Sequence, residues 1–220
     1  MNLILASSSP RRRELLTALG LTFTIIKPEI DESLHPSEAP LDYVQRLSCE
    51  KAAAVVRMLD TPAAVLAADT VVILAADTMG VAHDGALLGK PADAAEAQVM
   101  LRRLRARPHL VCTSVTLAAV SAQGTREICE LTQTVVHMRD YSDAEINAYI
   151  ATGDPFDKAG GYAIQHEGFR PVARIDGCYP NVVGLPVCAV KRGLAALGWQ
   201  GITFVAQGCD CTPYKQPPQP

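Results

Sequence analysis

The sequence predicts an α/β fold, and three observations carry that reading. Leu3-Ile4-Leu5 is a short apolar run of the kind a buried strand uses, and a serine turn and a helix follow it at once. Runs rich in β-branched residues then alternate with helical stripes along the chain. The 220 residues are 49% hydrophobic and 20% charged, so a packed core can form, as one large domain or as two small lobes around a shared cleft.

The opening stretch organises the rest. Ser7-Ser8-Ser9 make a hydroxyl-rich turn, and Pro10 suits the first helical position, where its missing N–H costs little. Leu15, Leu16 and Leu19 share one face of the helix. Arg11, Arg12 and Arg13 fall in its first turn, beside the positive end of the macrodipole. Each is disfavoured there by roughly 0.3–1 kcal/mol unless an anion is present. A strand, a hydroxyl turn, a helix N-terminus and an arginine cluster together make a phosphate site.

The totals exclude other classes. A net charge of −3 argues against a nucleic-acid coat and against a membrane-surface protein, so the arginines act locally. An RNA binder needs stacking aromatics on a basic surface, and aromatics are only 5%. No run approaches the roughly 18–20 apolar residues of a membrane span. Met1-Asn2-Leu3 lacks the basic start of a secretory signal, so a cytoplasmic protein is expected. Seven cysteines, an odd count without Cys-x-x-Cys spacing, read as free thiols in a reducing compartment. Cys209-x-Cys211 reads as a chance pair, and the five histidines have no zinc spacing.

Further elements follow in order. Leu21 to Ile26 reads as a strand. Pro28-Glu29-Ile30-Asp31-Glu32 is an acidic loop whose oxygens suit a divalent cation or a solvated turn. Leu41 to Leu59 is a helix with Val44, Leu47, Val55 and Leu59 as its core stripe, and Lys51 on it reads as solvated. Ala63 to Ala68 is a small apolar strand that delivers Asp69-Thr70 before Val71-Val72-Ile73-Leu74. A carboxylate in an apolar run is costly unless paired, hydrogen-bonded or metal-bound, and strand ends are where α/β proteins hold ligands. Asp69 is therefore a functional candidate.

Ala75 to Leu88 reads as a hairpin or loop excursion. Gly89-Lys90-Pro91 is not a Walker loop, but it can aim an ammonium at a phosphate. Asp93-x-x-Glu96 resembles a capping box for a helix to Leu104. His109 to Val120 and Arg126 to Met138 read as an antiparallel pair about a turn at residues 121–124. Ser142-x-x-Glu145 caps another helix, which Gly153 ends. Residues 153–165 combine two acids, Lys158, tandem glycines and Gln165, whose amide can read a nucleobase edge. Val172 to Ile175 is a strand, and Asn181 to Pro186 leads into a last helix to about Leu197. One domain over residues 1–205 is expected, then a proline-rich, disordered tail over 206–220.

These pieces resemble the Maf family of nucleoside triphosphate pyrophosphatases from Leu3 to about Leu197. Ser7-Ser8-Ser9-Pro10-Arg11-Arg12, Ala68-Asp69-Thr70-Val71-Val72, Gly89-Lys90-Pro91, Asp157 to Gln165 and Asn181 to Pro186 stand in the family's order. The resemblance implies an inosine triphosphatase-like fold: an elongated mixed sheet flanked by helices, with two lobes around a central cleft. It implies cleavage between the α- and β-phosphates, with a divalent cation, Mg²⁺ or Mn²⁺. It makes Asp69 the general base and, with Glu32, a metal ligand. Arg12, Lys51 and Lys90 line the triphosphate, and Ser7, Asp157 and Lys158 join the substrate set. Arg11, Thr70 and Gln165 mark the branch preferring dTTP and UTP. A homodimer is expected because relatives form one. The Ala75–Leu88 segment is longer than the family's, and His166 to Pro171 replaces a Gly-rich turn. The rival readings are the same chemistry on 7-methyl-GTP or a non-standard purine nucleotide, and a non-catalytic nucleotide-binding regulator of cell division.

Overall fold

The structure, a computed structural model, describes residues 2–59 and 71–199. Its strands are β1 (Asn2–Leu5), β2 (Thr24–Ile25), β3 (Val71–Val81), β4 (Leu87–Leu88), β5 (Pro108–Ser121), β6 (Gly124–Met138) and β7 (Val172–Asp176). The helices are α1 (Pro10–Ala18), α2 (Pro40–Leu59), α3 (Ala94–Leu104), α4 (Asp143–Ile150), α5 (Tyr179–Val183) and α6 (Val187–Ala196). The described strands form one mixed sheet in the order β2-β1-β3-β5-β6-β7, with β4 on β3. β1 runs parallel to β2 and β3, and the remaining pairs are antiparallel.

Period-two alternation splits the sheet into two faces. Leu3, Leu5, Val72, Leu74, Ala76, Val115, Leu117 and Ala119 point to one face, where α1 and α6 bury Leu16, Val190 and Leu194. Ile4, Ala6, Ile73, Ala75 and Ala118 point to the other, under Ala52 and Val55 of α2. Gly193 makes the α6 contact possible, because a Cβ there would clash with Leu117 Cδ1. A second cluster gathers where β5 begins and β6 ends, with Leu101 and Leu104 of α3, Ile146 and Tyr149 of α4, and Tyr141, Tyr162 and Phe169. At about 3.3 Å per residue β5 and β6 are each roughly 45 Å long, so they run through both clusters and make the sheet elongated.

Several expectations hold. Pro10 opens α1 behind Ser9, and Ser142 with Glu145 forms a full capping box. Asp93 caps α3, but Glu96 reaches the Ala92 N–H instead of closing the box. The β5–β6 hairpin turns at residues 121–124. Others change. The strand expected over Leu21–Ile26 shortens to Thr24–Ile25, because Leu21 and Phe23 pack into the core cluster instead of pairing. β3 does not break at Ala75. It runs on to Val81, held by an unbroken ladder to β5 from Val71↔Val120 to Val81↔Leu110, and only then turns back into β4. The strand expected over 63–68, Cys209, Cys211 and the tail lie outside the described residues. Among the described residues no helix is long and apolar enough to cross a membrane.

Candidate active site

A cleft of about 600 Å³ opens between the end of β1, the middle of β3 and the segment after α4. That volume suits a small-molecule ligand. At its base, one side chain ties four pieces of chain together. Arg12 donates from Nε to the Gly184 carbonyl at 2.9 Å and from Nη1 to Ala76 O at 2.8 Å. It also donates to Ser7 Oγ at 3.2 Å and to Thr78 Oγ1 at 3.1 Å. A guanidinium has five N–H donors, so four are committed and one is left for a ligand. Thr78 Oγ1 in turn meets Thr113 Oγ1 at 2.9 Å and the Gly184 carbonyl at 3.2 Å. Burial, and then Arg11, push the Arg12 guanidinium down, while Asp77 and Glu32 oppose this.

Next to this knot stands Asp77 on β3. Its position follows from register: Leu5 pairs with Leu74 and the Ala6 N–H continues to Leu74 O, which brings residues 76–78 beside Ser7. α2 supplies the counter-charge. Val44, Leu47, Ser48, Lys51, Ala52 and Val55 form its buried face, and the Lys51 ammonium emerges from that face at the cleft. Lys51 Nζ lies 2.7 Å from Asp77 Oδ1 and 2.9 Å from Glu32 Oε1. Burial pushes the Asp77 carboxyl up, and the neighbouring Lys51 and Arg12 oppose it without cancelling it. The acidic loop is held over the helix by Tyr43, whose hydroxyl donates to Glu32 O at 2.8 Å, and by Arg46, which donates to Ser33 O at 2.9 Å.

The far wall comes from the 154–165 segment. Gly153 leaves α4 with φ +76, and Gly160 and Gly161 adopt φ +77 and +67. The Gly160 N–H bonds the Gly89 carbonyl at 3.0 Å, which docks this segment on the Lys90 turn. Lys158 is drawn back onto Asp154 and Asp157, at 2.9 and 2.5 Å. Arg11 reaches across the cleft to Asp157 at 3.3 Å. Burial alone would raise Asp157, but Lys158 and Arg11 outweigh it and hold the carboxyl below its usual range. Lys90 and Gln165 line the cleft and are exposed. Among the described residues Lys90 has no ion pair. Behind them, buried His109 Nε2 meets the Tyr162 hydroxyl at 2.8 Å.

The structure thus brings Ser7, Arg11, Arg12, Glu32, Lys51, Lys90, Asp157, Lys158 and Gln165 to one cleft. Asp69 and Thr70 lie outside the described residues. The carboxylate held beside Lys51 at the base of the cleft is Asp77, followed by Thr78, and sequence reasoning passed over both. A signal was there: Ala67-Ala68-Asp69-Thr70 recurs as Ala75-Ala76-Asp77-Thr78. Val71 opens β3 opposite Asn2, and Asp77 comes roughly 20 Å further along the strand, level with the serine turn. Lys51, read as solvated, is buried. No group of three or more His, Cys, Asp or Glu that could hold a metal occurs among the described residues. Asp77 and Glu32 are two hard oxygen donors converging on one positive centre. This fits a magnesium-type ion, which takes one or two carboxylates and completes its shell from substrate phosphates and water.

Fold and site together define an α/β protein with a cationic cleft built for a polyanion around a buried acid–lysine pair. The chain belongs to the Maf-like protein family, whose pattern it matches over residues 2–197. A dTTP/UTP pyrophosphatase of Shewanella oneidensis is 44% identical over 205 residues, 90% of this chain and 99% of that protein. Proteins of the same name from Hahella chejuensis and Thermomicrobium roseum are each 46% identical, over 84% and 90% of this chain and 87% and 85% of their own. A solved structure, the Staphylococcus aureus Ham1 protein, aligns over 64% of this chain and 73% of its own at 11% identity, with a TM-score of 0.31, and carries no weight for fold or activity.

Proposed function

We propose that this chain is a nucleoside triphosphate pyrophosphatase that hydrolyses dTTP and UTP to the monophosphate and pyrophosphate. The observation that carries the reading is the buried Lys51–Asp77 pair in a cleft rimmed by Arg11, Lys90 and the serine turn. Relatives 44–46% identical over most of this chain carry the name of that activity.

Asp77 takes the role that sequence reasoning gave to Asp69. It accepts a proton from the water that attacks the α-phosphorus, and its upward shift brings it closer to the working range of a general base. Lys51 orients Asp77 and Glu32 with two of its three N–H groups and has one left for a phosphate oxygen. The remaining Arg12 donor, Lys90 and Arg11 offset the charge that builds on the leaving pyrophosphate. A divalent cation such as Mg²⁺ or Mn²⁺, held by Asp77 and Glu32, would neutralise phosphate charge and acidify water. Gln165, exposed on the wall opposite Asp77, offers one amide donor pair and one acceptor to a pyrimidine edge.

The test is pyrophosphate release from dTTP, UTP, CTP, GTP, 7-methyl-GTP and ITP with Mg²⁺ or Mn²⁺. Release confined to dTTP and UTP, and abolished by EDTA, is expected. Release mainly from a purine nucleotide overturns the specificity. Tight binding with no release from any nucleotide overturns the enzyme reading in favour of a non-catalytic regulator.

A further inference from the structure

A polar cluster that the cleft does not use lies between α2, β5 and β6. Ser48 Oγ meets Ser114 Oγ and Thr116 Oγ1, both at 2.8 Å, and all three residues are fully buried. Each of the two β5 hydroxyls also touches a thiol. Thr116 Oγ1 lies 3.5 Å from Cys49 Sγ, and Ser114 Oγ lies 3.3 Å from Cys129 Sγ. Thr116 and Cys129 are direct cross-strand partners, whose Cβ atoms stand about 4.5–5.5 Å apart on the same face of a sheet. Both sulfurs therefore flank one threonine side chain, from the helix and from the neighbouring strand. Cys129 is exposed and Cys49 half-buried, so small oxidants reach the pair from solvent.

We propose that Cys49 and Cys129 are an oxidisable dithiol site, closed to a disulfide by hydroperoxides, that straps helix α2 to strand β6. The assignment of roles follows from the surroundings. The Cys49 thiol, Ser114, Thr116 and Ser48 together hold the Cys129 thiol down to about 6 against burial, while the Cys49 thiol is pushed up. Cys129 is thus the more acidic sulfur of the pair and Cys49 the one that keeps its proton longer. A hydrogen bond to sulfur favours its charged form, and Ser114 is placed to give Cys129 one, whereas burial alone acts on the core cysteine Cys112. The Cys129 thiolate attacks the terminal oxygen of the hydroperoxide. An S–O bond forms, the O–O bond breaks, and the departing alkoxide takes a proton from water. The Cys49 sulfur then attacks the sulfenic sulfur of Cys129. The S–S bond forms, the S–O bond breaks, and the hydroxyl leaves as water with the Cys49 proton. The two cysteines lose two electrons and two hydrogens, and the hydroperoxide is reduced to an alcohol and water.

The experiment needs neither nucleotide nor metal, so its outcome is independent of the proposed activity. The full chain is exposed to a small excess of hydrogen peroxide, alkylated with iodoacetamide, digested with trypsin and read by mass spectrometry. The expected product links the peptide Leu47–Lys51, which contains Cys49, to Glu127–Arg139, which contains Cys129. Dithiothreitol removes it, and Cys129→Ser abolishes it while Cys112→Ser does not. Before oxidation, Cys129 is alkylated on the order of 10-fold faster than Cys49 at neutral pH. Recovery of Cys49 as the alkylated thiol while Cys129 is overoxidised overturns the proposal. So does a linkage pattern spread over the other cysteines.

Discussion

The Lys51 ammonium, emerging from the buried face of α2, lies 2.7 Å from the carboxylate of Asp77 on β3. Burial raises Asp77 above its ordinary 3.8, and Lys51 only partly offsets this. An acid raised on folding contributes stability below its unfolded pKa and loses it as pH climbs through the folded one. Ionising Asp77 is therefore a burden on the fold. Asp77→Asn is expected to lower turnover by about 10²–10⁴-fold while leaving the thermal midpoint at neutral pH unchanged or higher. Circular dichroism melts beside pyrophosphate assays check both halves. Near-normal turnover would falsify the role given to Asp77.

Arg12 and Arg11 are neighbours in sequence with different work. Arg12 spends four donors on protein acceptors, three of them within the cleft wall. Arg12→Ala leaves those acceptors short and is expected to cost about 3–5 kcal/mol in chemical denaturation. Arg11 makes a single exposed pair with Asp157. Arg11→Ala is expected to cost about 0–1 kcal/mol and to show its effect in KM for dTTP instead. Equal stabilities of the two variants would contradict this division.

His109 is expected to make the protein acid-sensitive. Burial, with His137 nearby, pushes its imidazole down from 6.5 to about 4. A base depressed on folding contributes its stability in full above the unfolded pKa and loses it as pH falls toward the folded one. Between pH 6.5 and 4 the loss should reach about 3 kcal/mol. Denaturation curves of the wild type and His109→Asn, compared across that range, test this: the variant's stability should fall less steeply. Parallel slopes would assign the acid sensitivity elsewhere.

Gly160 connects the docking of the far wall to its shape. Its φ is +77, and an added Cβ would lie 3.3 Å from Tyr162 Cε1. Gly160→Ala is expected to cost about 1–2 kcal/mol from the left-handed backbone alone. It should also raise KM, because the Gly160 N–H bond to the Gly89 carbonyl docks the segment that leads to Gln165 on the turn that carries Lys90. A change in kcat with KM untouched would point away from positioning.

Much of this was legible in the sequence because it is local. Pro10 behind Ser9, the Ser142–Glu145 box and the β5–β6 turn are short-range patterns, and each formed where read. What failed was long-range. Two identical Ala-Ala-Asp-Thr runs fit an apolar strand equally well, and only the pairing of Leu5 with Leu74 decides which residues face the serine turn. The apparent excess length of Ala75–Leu88 was the trace of that choice, since β3 uses residues 75–81 as strand. The burial of Lys51 was hidden for the same reason, although the resemblance had already set it on the triphosphate. A lysine on a helix is solvated by default, and its burial depends on Asp77 and Glu32, partners far away in sequence.

The twofold pairing of Lys51 has a kinetic consequence. With its charge already matched by Asp77 and Glu32, Lys51 itself adds little to the long-range attraction felt by an approaching anion. Lys27 and Lys90 stand exposed in the cleft lining, neither with an ion pair among the described residues, and their positive charge reaches outward. Capture of a polyanion thus begins at the mouth and proceeds inward by exchange of partners. Encounter should slow as salt shortens the reach of that rim, while the step inside stays shielded.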